Sequence, residues 1–541
     1  MRRRLWYAAP AVLLALALAA VLAAAAAGRS NAGGQSLQIA SAATDVDHSD
    51  PALAYGVLSW EIEYNTCTKL LDYSDAGGRV SNELTPSAAE GMPVISKDGK
   101  TYTFTIRSGI TFSDGAPLTA ESFGAAMNRD ANPSMNSPVN GFMTDIVGWS
   151  AVNNKKAKKI SGVVVRGNKL ILHLTEKDGG MLDKLAMPFF CAIDPAKTPV
   201  NPNGLTTVPG SGPYYIASRT VGKQLVMQQN PYYKGNRPHR AATIIFTMNT
   251  NSQQTYLQVS NGTYATDPNG LDNPSAAASL AKKYGINKGR FFVHPTPETD
   301  YVALNTTRPT FASVAVRKAA NFATDRAALL RVYGFKGGTA TTEILPDSLA
   351  GGVRNQHLYP LGGANVAKAK QLDGGNCGNV SLWYQTGPVG TPQAGLFKYE
   401  LTQMGCQVTE KPFQGYAMYT AAGVKGADFD AAFAGWYQDY ADGYDFFHIL
   451  LDGRTIAANN NNNLAYFDAP DVDKKIDTAN VLTGPARAKA WGRLDIYTMQ
   501  KYAPWVALDN RNVRDYVGPK TAGYVFVPAY GSMDLATLYL K

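Results

Sequence analysis

Residues 99–128, GKTYTFTIRSGITFSDGAPLTAESFGAAMN, constrain this chain more than any other stretch. Tyr102, Phe104 and Ile106 alternate with Thr101, Thr103, Thr105 and Arg107, a period of two that buries one face of a strand and leaves the other polar. Ser113-Asp114-Gly115, with Pro117 close behind, predicts a turn. Thr119 stands where a helix N-cap belongs, and Glu121 puts a carboxylate in the first helical turn, where the helix dipole favours it. Other segments mix the same two periods. Residues 163–165 and 170–174 flank Gly167-Asn168, a hairpin signal. Val316, Ala319, Ala320 and Ala323 share one face of a helix over 314–323, and Asp325 predicts the cap of a second helix through Ala327 to Arg331. Val472, Ile476 and Ala479 mark a further helix near the C-terminus. Neither a repeat nor a solenoid period is present, so the fold class is α/β, or α+β mixed.

The 541 residues are 45% hydrophobic and 17% charged, an ordinary globular composition long enough for two or three cores. The net charge is +9, three of it from Arg2, Arg3 and Arg4. Beyond Lys155-Lys156 and Lys158-Lys159, which read as one solvated loop, no basic run is interleaved with aromatics, so nucleic acid is not an expected partner. The three arginines precede an apolar stretch over 5–27, and Ala25 and Ala27 form a small-x-small cleavage pattern before Gly28. Residues 1–27 therefore read as a signal peptide. The stretch is also about long enough to span a bilayer, so an N-terminal anchor, with its arginines held in the cytoplasm and the rest outside, is the alternative. Residues 28–36, GRSNAGGQS, read as a flexible tether.

Cys67, Cys191, Cys377 and Cys406 are even in number, and none forms a C-x-x-C pair, which in an exported chain favours disulfides over metal ligands. Cys377 precedes a strand-like run over 380–384. Cys406 precedes another after a helical stretch over 397–404. Strand, helix, strand brings both starts to the same end of a parallel pair, predicting Cys377–Cys406 and leaving Cys67–Cys191. Buried free thiols are the alternative.

Catalytic patterns are absent from the sequence. Gly210-Ser211-Gly212 does not make G-x-S-x-G. The histidines at 48, 173, 239, 294, 357 and 448 lack metal spacing. Asp45, Asp47 and Ser49 begin like a calcium loop, but Asp50 occupies the position that needs Gly. No phosphate-cradling loop is present, so the chain does not itself hydrolyse ATP, and no cofactor is expected.

The 99–128 segment resembles the signature of the bacterial extracellular solute-binding proteins of family 5, the oligopeptide-, dipeptide- and nickel-type receptors of ABC importers. Asp50-Pro51, residues 209–215 (PGSGPYY), 230–233 (NPYY), Leu304-Asn305-Thr306 with 316–319 (VRKA), 435–440 (GWYQDY) and 463–473 resemble further family segments, in family order. The resemblance implies a two-lobed, hinge-closing, periplasmic-binding-protein-like fold of type II with an extra inserted domain. Its parts would be 37–77, 209–300 and 506–541 for domain I, 78–208 for domain II and 301–505 for domain III. The crossings between lobes are expected at strands 301–305 and 505–509. Many relatives are lipidated at an N-terminal Cys, which this chain lacks. The implied role is a monomeric, non-enzymatic receptor, exported to the outer face of the cytoplasmic membrane or the cell envelope or secreted, handing short peptides to a permease and its ATPase. Alternatives are another solute (an oligosaccharide, metal chelate or signalling peptide), a tethered sensor outside transport and, remotely, an exported hydrolase.

In peptide-binding relatives the Asp of the Trp-x-x-Asp motif pairs with the ligand ammonium, which singles out Asp439; capping or turning a loop is the bland alternative, open equally to Asp442 and Asp445. Trp436 and Trp383 are expected at the cleft or in the core, with Tyr437 and Tyr440 as further lining. Gly435 would let a strand-like ligand approach the backbone, or simply serve a turn. Gly443 stands where the family often has Pro. No arginine is assigned to a ligand carboxylate; Arg354, Arg454 and Arg511 remain by exclusion.

Overall fold

The computed structural model describes residues 35–41, 46–73, 83–271, 273–353 and 358–541. Residues 1–27, expected as a signal peptide or anchor, most of 28–36, Asp45, Gly78, Arg354 and His357 lie outside them. Among the described residues no helix is long and apolar enough to cross a membrane.

The 99–128 segment folds as its pattern dictates. Tyr102 and Phe104 are buried on strand Thr101–Thr105, while the threonines between them stay half-exposed. Gly115 turns the chain at φ +86°, and the Ala116 amide donates to Asp114 Oδ1 at 3.0 Å. Helix Ala120–Asp130 follows, with Thr119 as its N-cap residue and Glu121 in its first turn. Hairpin strands Val163–Arg166 and Lys169–His173 meet across Gly167, whose φ of +59° suits the first central position of a two-residue turn. With Val94–Ile95 they complete a four-stranded antiparallel sheet.

A second four-stranded sheet runs Ser36–Ala40, Thr243–Thr247, Gln224–Gln229, Tyr214–Thr220, the first pair parallel and the rest antiparallel. The two sheets belong to the first lobe. Its parts are joined by a buried bidentate ion pair, Arg129 to Asp50 at 2.7 and 2.6 Å, so the Asp50-Pro51 motif is architectural. Gly210 and Gly212 are architectural too. A Cβ at either would lie 2.7 Å from a carbonyl of the 65–66 backbone, and Ser211 Oγ accepts the Thr68 amide at 2.9 Å.

The second lobe is built on a mixed seven-stranded sheet. Strand Glu298–Leu304 lies between Trp505–Tyr516 and Ala431–Tyr437, antiparallel to both. Gly378–Gln385 continues the sheet parallel to Ala431–Tyr437 and to Cys406–Phe413. Separate apolar cores cover the two faces. Helices Val314–Ala323 and Arg326–Arg331 stand where the periodicity puts them, and Asp325 accepts the Ala328 amide at 3.0 Å. Disulfides join Cys377 to Cys406 and Cys67 to Cys191, the first at the common start of two parallel strands.

Residues 301–303, within the expected crossing 301–305, pair with 505–507, within the expected crossing 505–509, and both segments are buried in this sheet. Strand Trp505–Tyr516 continues past the sheet centre to pair with Phe291–Pro295, and its last residue, Tyr516, packs with Val259, Ala277 and Leu280 of the first lobe.

Candidate ligand-binding site

The lobes are in contact around a cleft. The Gly179 amide donates to the Asn480 carbonyl at 2.8 Å, Tyr437 Oη to the Tyr530 carbonyl at 2.7 Å and Gln438 Nε2 to the Ala529 carbonyl at 2.9 Å. Within the cleft lies a cavity of about 890 Å³, a size suited to a small ligand. Its walls come from Tyr55 of the first lobe and, in the second, from strand Glu298–Leu304, the 385–393 turn, the 415–419 turn, the end of strand Ala431–Tyr437 and Arg511. An adjoining cavity of about 330 Å³ shares Glu298, Tyr437 and Arg511, and is closed by Val57, Leu58 and Glu61 of helix Val57–Thr66.

Gly435, Trp436 and Tyr437 line the larger cavity. Asp439 stands behind its wall. Tyr55 Oη donates to Asp439 Oδ2 at 3.0 Å, and the Asp439 amide donates to Asp445 Oδ2 at 2.9 Å. Trp436 Nε1 also donates to Asp445, at 3.1 Å, which fixes the indole against the cavity. Burial pushes the Asp439 and Asp445 carboxyls above the ordinary carboxylate range, and the nearby Asp439 charge raises Asp445 further. A cation placed beside such a carboxyl pair would favour its ionised form.

Two residues offered for the lining pack elsewhere, Trp383 in the core that was its alternative place. Trp383 is 3% exposed, packs against Phe413 and Phe429 in the core, and carries Lys411 over its outer face at 4.0 Å. Its place on strand Gly378–Gln385, between two neighbouring strands, puts it there. Tyr440 is also buried, edge-on to Phe142, and plugs the contact between lobes. Gly435 does make a close approach, but to the protein itself: a Cβ there would lie 2.3 Å from Asp300 Oδ1.

Among the arginines named by exclusion, Arg454 is held by Asp452 and Asp477 at 2.7 Å each. Arg511 lines both cavities. The sequence reading missed Tyr55, Glu298 and Asp300. For the last two a signal existed: carboxylates two apart in an otherwise apolar strand must share one face.

Residues 83–458 match the sequence profile of bacterial extracellular solute-binding proteins, family 5 Middle. The chain belongs to this family. It is 23% identical over 495 residues to the probable D,D-dipeptide-binding periplasmic protein DdpA of Escherichia coli, covering 90% of each chain. It is 24% identical over 515 residues to the periplasmic oligopeptide-binding protein OppA of Haemophilus influenzae, covering 91% of each. Among solved structures, clavulanic acid biosynthesis oligopeptide binding protein 2 superposes with a TM-score of 0.85 at 22% identity, over 94% of this chain and 95% of that one. These likenesses fix the two-lobed periplasmic-binding fold. The family consists of substrate-binding proteins rather than enzymes.

Proposed function

We propose that this chain is the extracytoplasmic receptor of an ABC importer and captures short peptides by their free N-terminal ammonium. The observation that carries the reading is the Asp439 carboxyl, buried behind Tyr55 at the wall of an interlobe cavity. An enclosed ammonium loses hydration, and a carboxylate that accepts its hydrogen bonds offsets that loss. The printed names of relatives, oligopeptide- and dipeptide-binding proteins, support the same ligand class.

Tyr301, Trp505 and their neighbours serve as sheet interior, so the hinge segments are assigned to 295–298 and 509–512, where strand Trp505–Tyr516 changes partner. The division into domain I (37–77, 209–300, 506–541), domain II (78–208) and domain III (301–505) then shifts so that domain III runs from 299 to 508, with Glu298, Asp509 and Arg511 in the hinge that borders its wall. Ligand touching both lobes only when they meet shifts the population toward closure. Moving the ratio from 1:99 to 99:1 needs about 5.5 kcal/mol of preference for the closed form. The closed surface then docks on the permease. Export directed by residues 1–27, with or without cleavage, belongs to the same reading.

A thermal-shift titration of the full chain with a pool of short peptides tests it. Ligand at 100 times its dissociation constant adds about 2.7 kcal/mol of stability. The free-amine pool should raise the midpoint and the N-acetylated pool should not. A shift with sugars or nickel alone would move the chain to another solute.

A further inference from the structure

Arg511 is outnumbered on its own wall of the cleft. Glu298 and Asp300 share a face of their strand, and Asp300 lies in register with Asp509 on one neighbouring strand and Gly435 on the other. Tyr333 Oη donates to Asp300 Oδ2 at 2.7 Å, while Arg511 Nη1 stays 3.7 Å from the same oxygen, its guanidinium stacked 4.4 Å from the Tyr333 ring centre. Asp509 is fully buried, yet neither carboxyl oxygen has a hydrogen-bond partner. From the other lobe, Glu61 reaches the adjoining cavity that Glu298 and Arg511 also line. It is 2% exposed, and its Oε1 is unpartnered. Glu298 and Asp300 thus face the main cavity beside one guanidinium, with Asp509 buried behind them and Glu61 across the adjoining cavity. Burial pushes Glu298, Asp300 and Asp509 up, and the Asp300 charge raises Glu298 and Asp509 further, a cost that an added cation would relieve.

The chemistry narrows the cation. Among the described residues no three His, Cys, Asp or Glu side chains converge closely enough to hold a metal ion. Glu298 and Asp300 on a wall that Tyr333, Tyr419 and Tyr437 also line instead suit a planar group with several N–H donors and a face that stacks. Arg511 is already engaged by this cluster, which argues against its serving as the anchor for a ligand carboxylate.

We infer that this wall is a second cation subsite, which takes the guanidinium or primary ammonium of a ligand side chain and over which Glu61 closes from the first lobe. The inference rests on the peptide reading for the ligand's other end. A cation there touches both lobes, so it would favour closure directly.

Calorimetric titration of the full chain with Arg-Ala-Ala, Ala-Arg-Ala and Ala-Ala-Arg, each beside its neutral citrulline counterpart, tests the subsite. At least one arginine peptide should bind about tenfold or more tighter than its counterpart, since a site built for charged N–H donors rejects the neutral isostere. E298Q and E61Q should each cut that ratio at least about threefold, and R511Q, which removes the competing cation, should widen it. The opposite signs keep the test sound if one variant folds poorly. Equal binding of arginine and citrulline peptides would overturn the subsite while leaving peptide capture standing. If no peptide binds, agmatine decides: agmatine binding weakened by E298Q would sustain the subsite and sink the peptide reading, and absence of agmatine binding would overturn the subsite as well.

Discussion

The Tyr55 hydroxyl donates to Asp439 Oδ2 at 3.0 Å, one hydrogen bond that joins the first lobe to the loop closing strand Ala431–Tyr437 of the second. The tyrosine hydroxyl is a donor of the kind a ligand ammonium would supply, so under the proposed reading the contact between lobes and the ligand anchor share one carboxyl.

Tyr55→Phe removes that donor and leaves a buried carboxyl oxygen unpaired, at a cost of about 1–3 kcal/mol. Chemical denaturation should report a loss in this range without ligand, and a smaller one with saturating peptide, because the ammonium then satisfies Asp439. An equal loss in both states would mean that the ligand does not reach Asp439.

The pH dependence follows from the sign of the carboxyl shifts. Asp439 and Asp445 are raised by burial, and Glu400 and Asp495, also buried, are pushed up to about 7. The unfolded chain releases these protons near pH 4 while the folded chain keeps them. Their contribution to stability is therefore fully present below about pH 4 and is lost as pH rises toward 7. An ammonium ligand ionises Asp439 and releases a proton, so its affinity should rise across the same window. Titrations near pH 6 in buffers of different ionisation enthalpy should show net proton release; proton uptake would contradict the assignment.

Gly435→Ala drives a methyl group to within 2.3 Å of Asp300 Oδ1, and Tyr333 holds that carboxylate in place. The expected loss of stability is about 1–3 kcal/mol by urea unfolding. An unchanged midpoint would show that Asp300 moves freely and does not form a fixed wall.

Both disulfides close long loops, with sequence separations of 124 and 29. Replacing either pair by serines should cost about 3–5 kcal/mol, more for Cys67–Cys191 because its loop is longer. Thermal unfolding of the two double variants checks the order, and the reverse ranking would show that the denatured chain is not the main source of the effect.

Local structure was legible wherever a short-range pattern had one meaning. Alternation at 101–106, the small face of 314–323 and the cap at Asp325 all specify their elements, and the strand–helix–strand order brought Cys377 to Cys406. The cleft was legible only in part, because it depends on contacts between distant segments. Trp436 and Trp383 are both aromatic residues in strand-like runs, and only packing separates them: Trp383 has Phe429 beneath it, while Trp436 faces space. Asp509 reads as an ordinary polar residue until its register with Asp300, about two hundred residues earlier, is known. Tyr55 carried no motif at all; its role comes from meeting Asp439 across the lobes.

The most direct measurement of the central claim is calorimetric binding of trialanine and N-acetyl-trialanine to the wild-type chain and to Asp439→Asn. Loss of a charge-assisted hydrogen bond is worth about 1.5–3 kcal/mol, roughly 10- to 100-fold in affinity. The peptide reading predicts that trialanine binds the wild type, that acetylation and the Asn substitution each weaken binding by that factor, and that acetylation costs little more once Asn is in place. Equal affinity of both peptides for both proteins would contradict ammonium capture by Asp439.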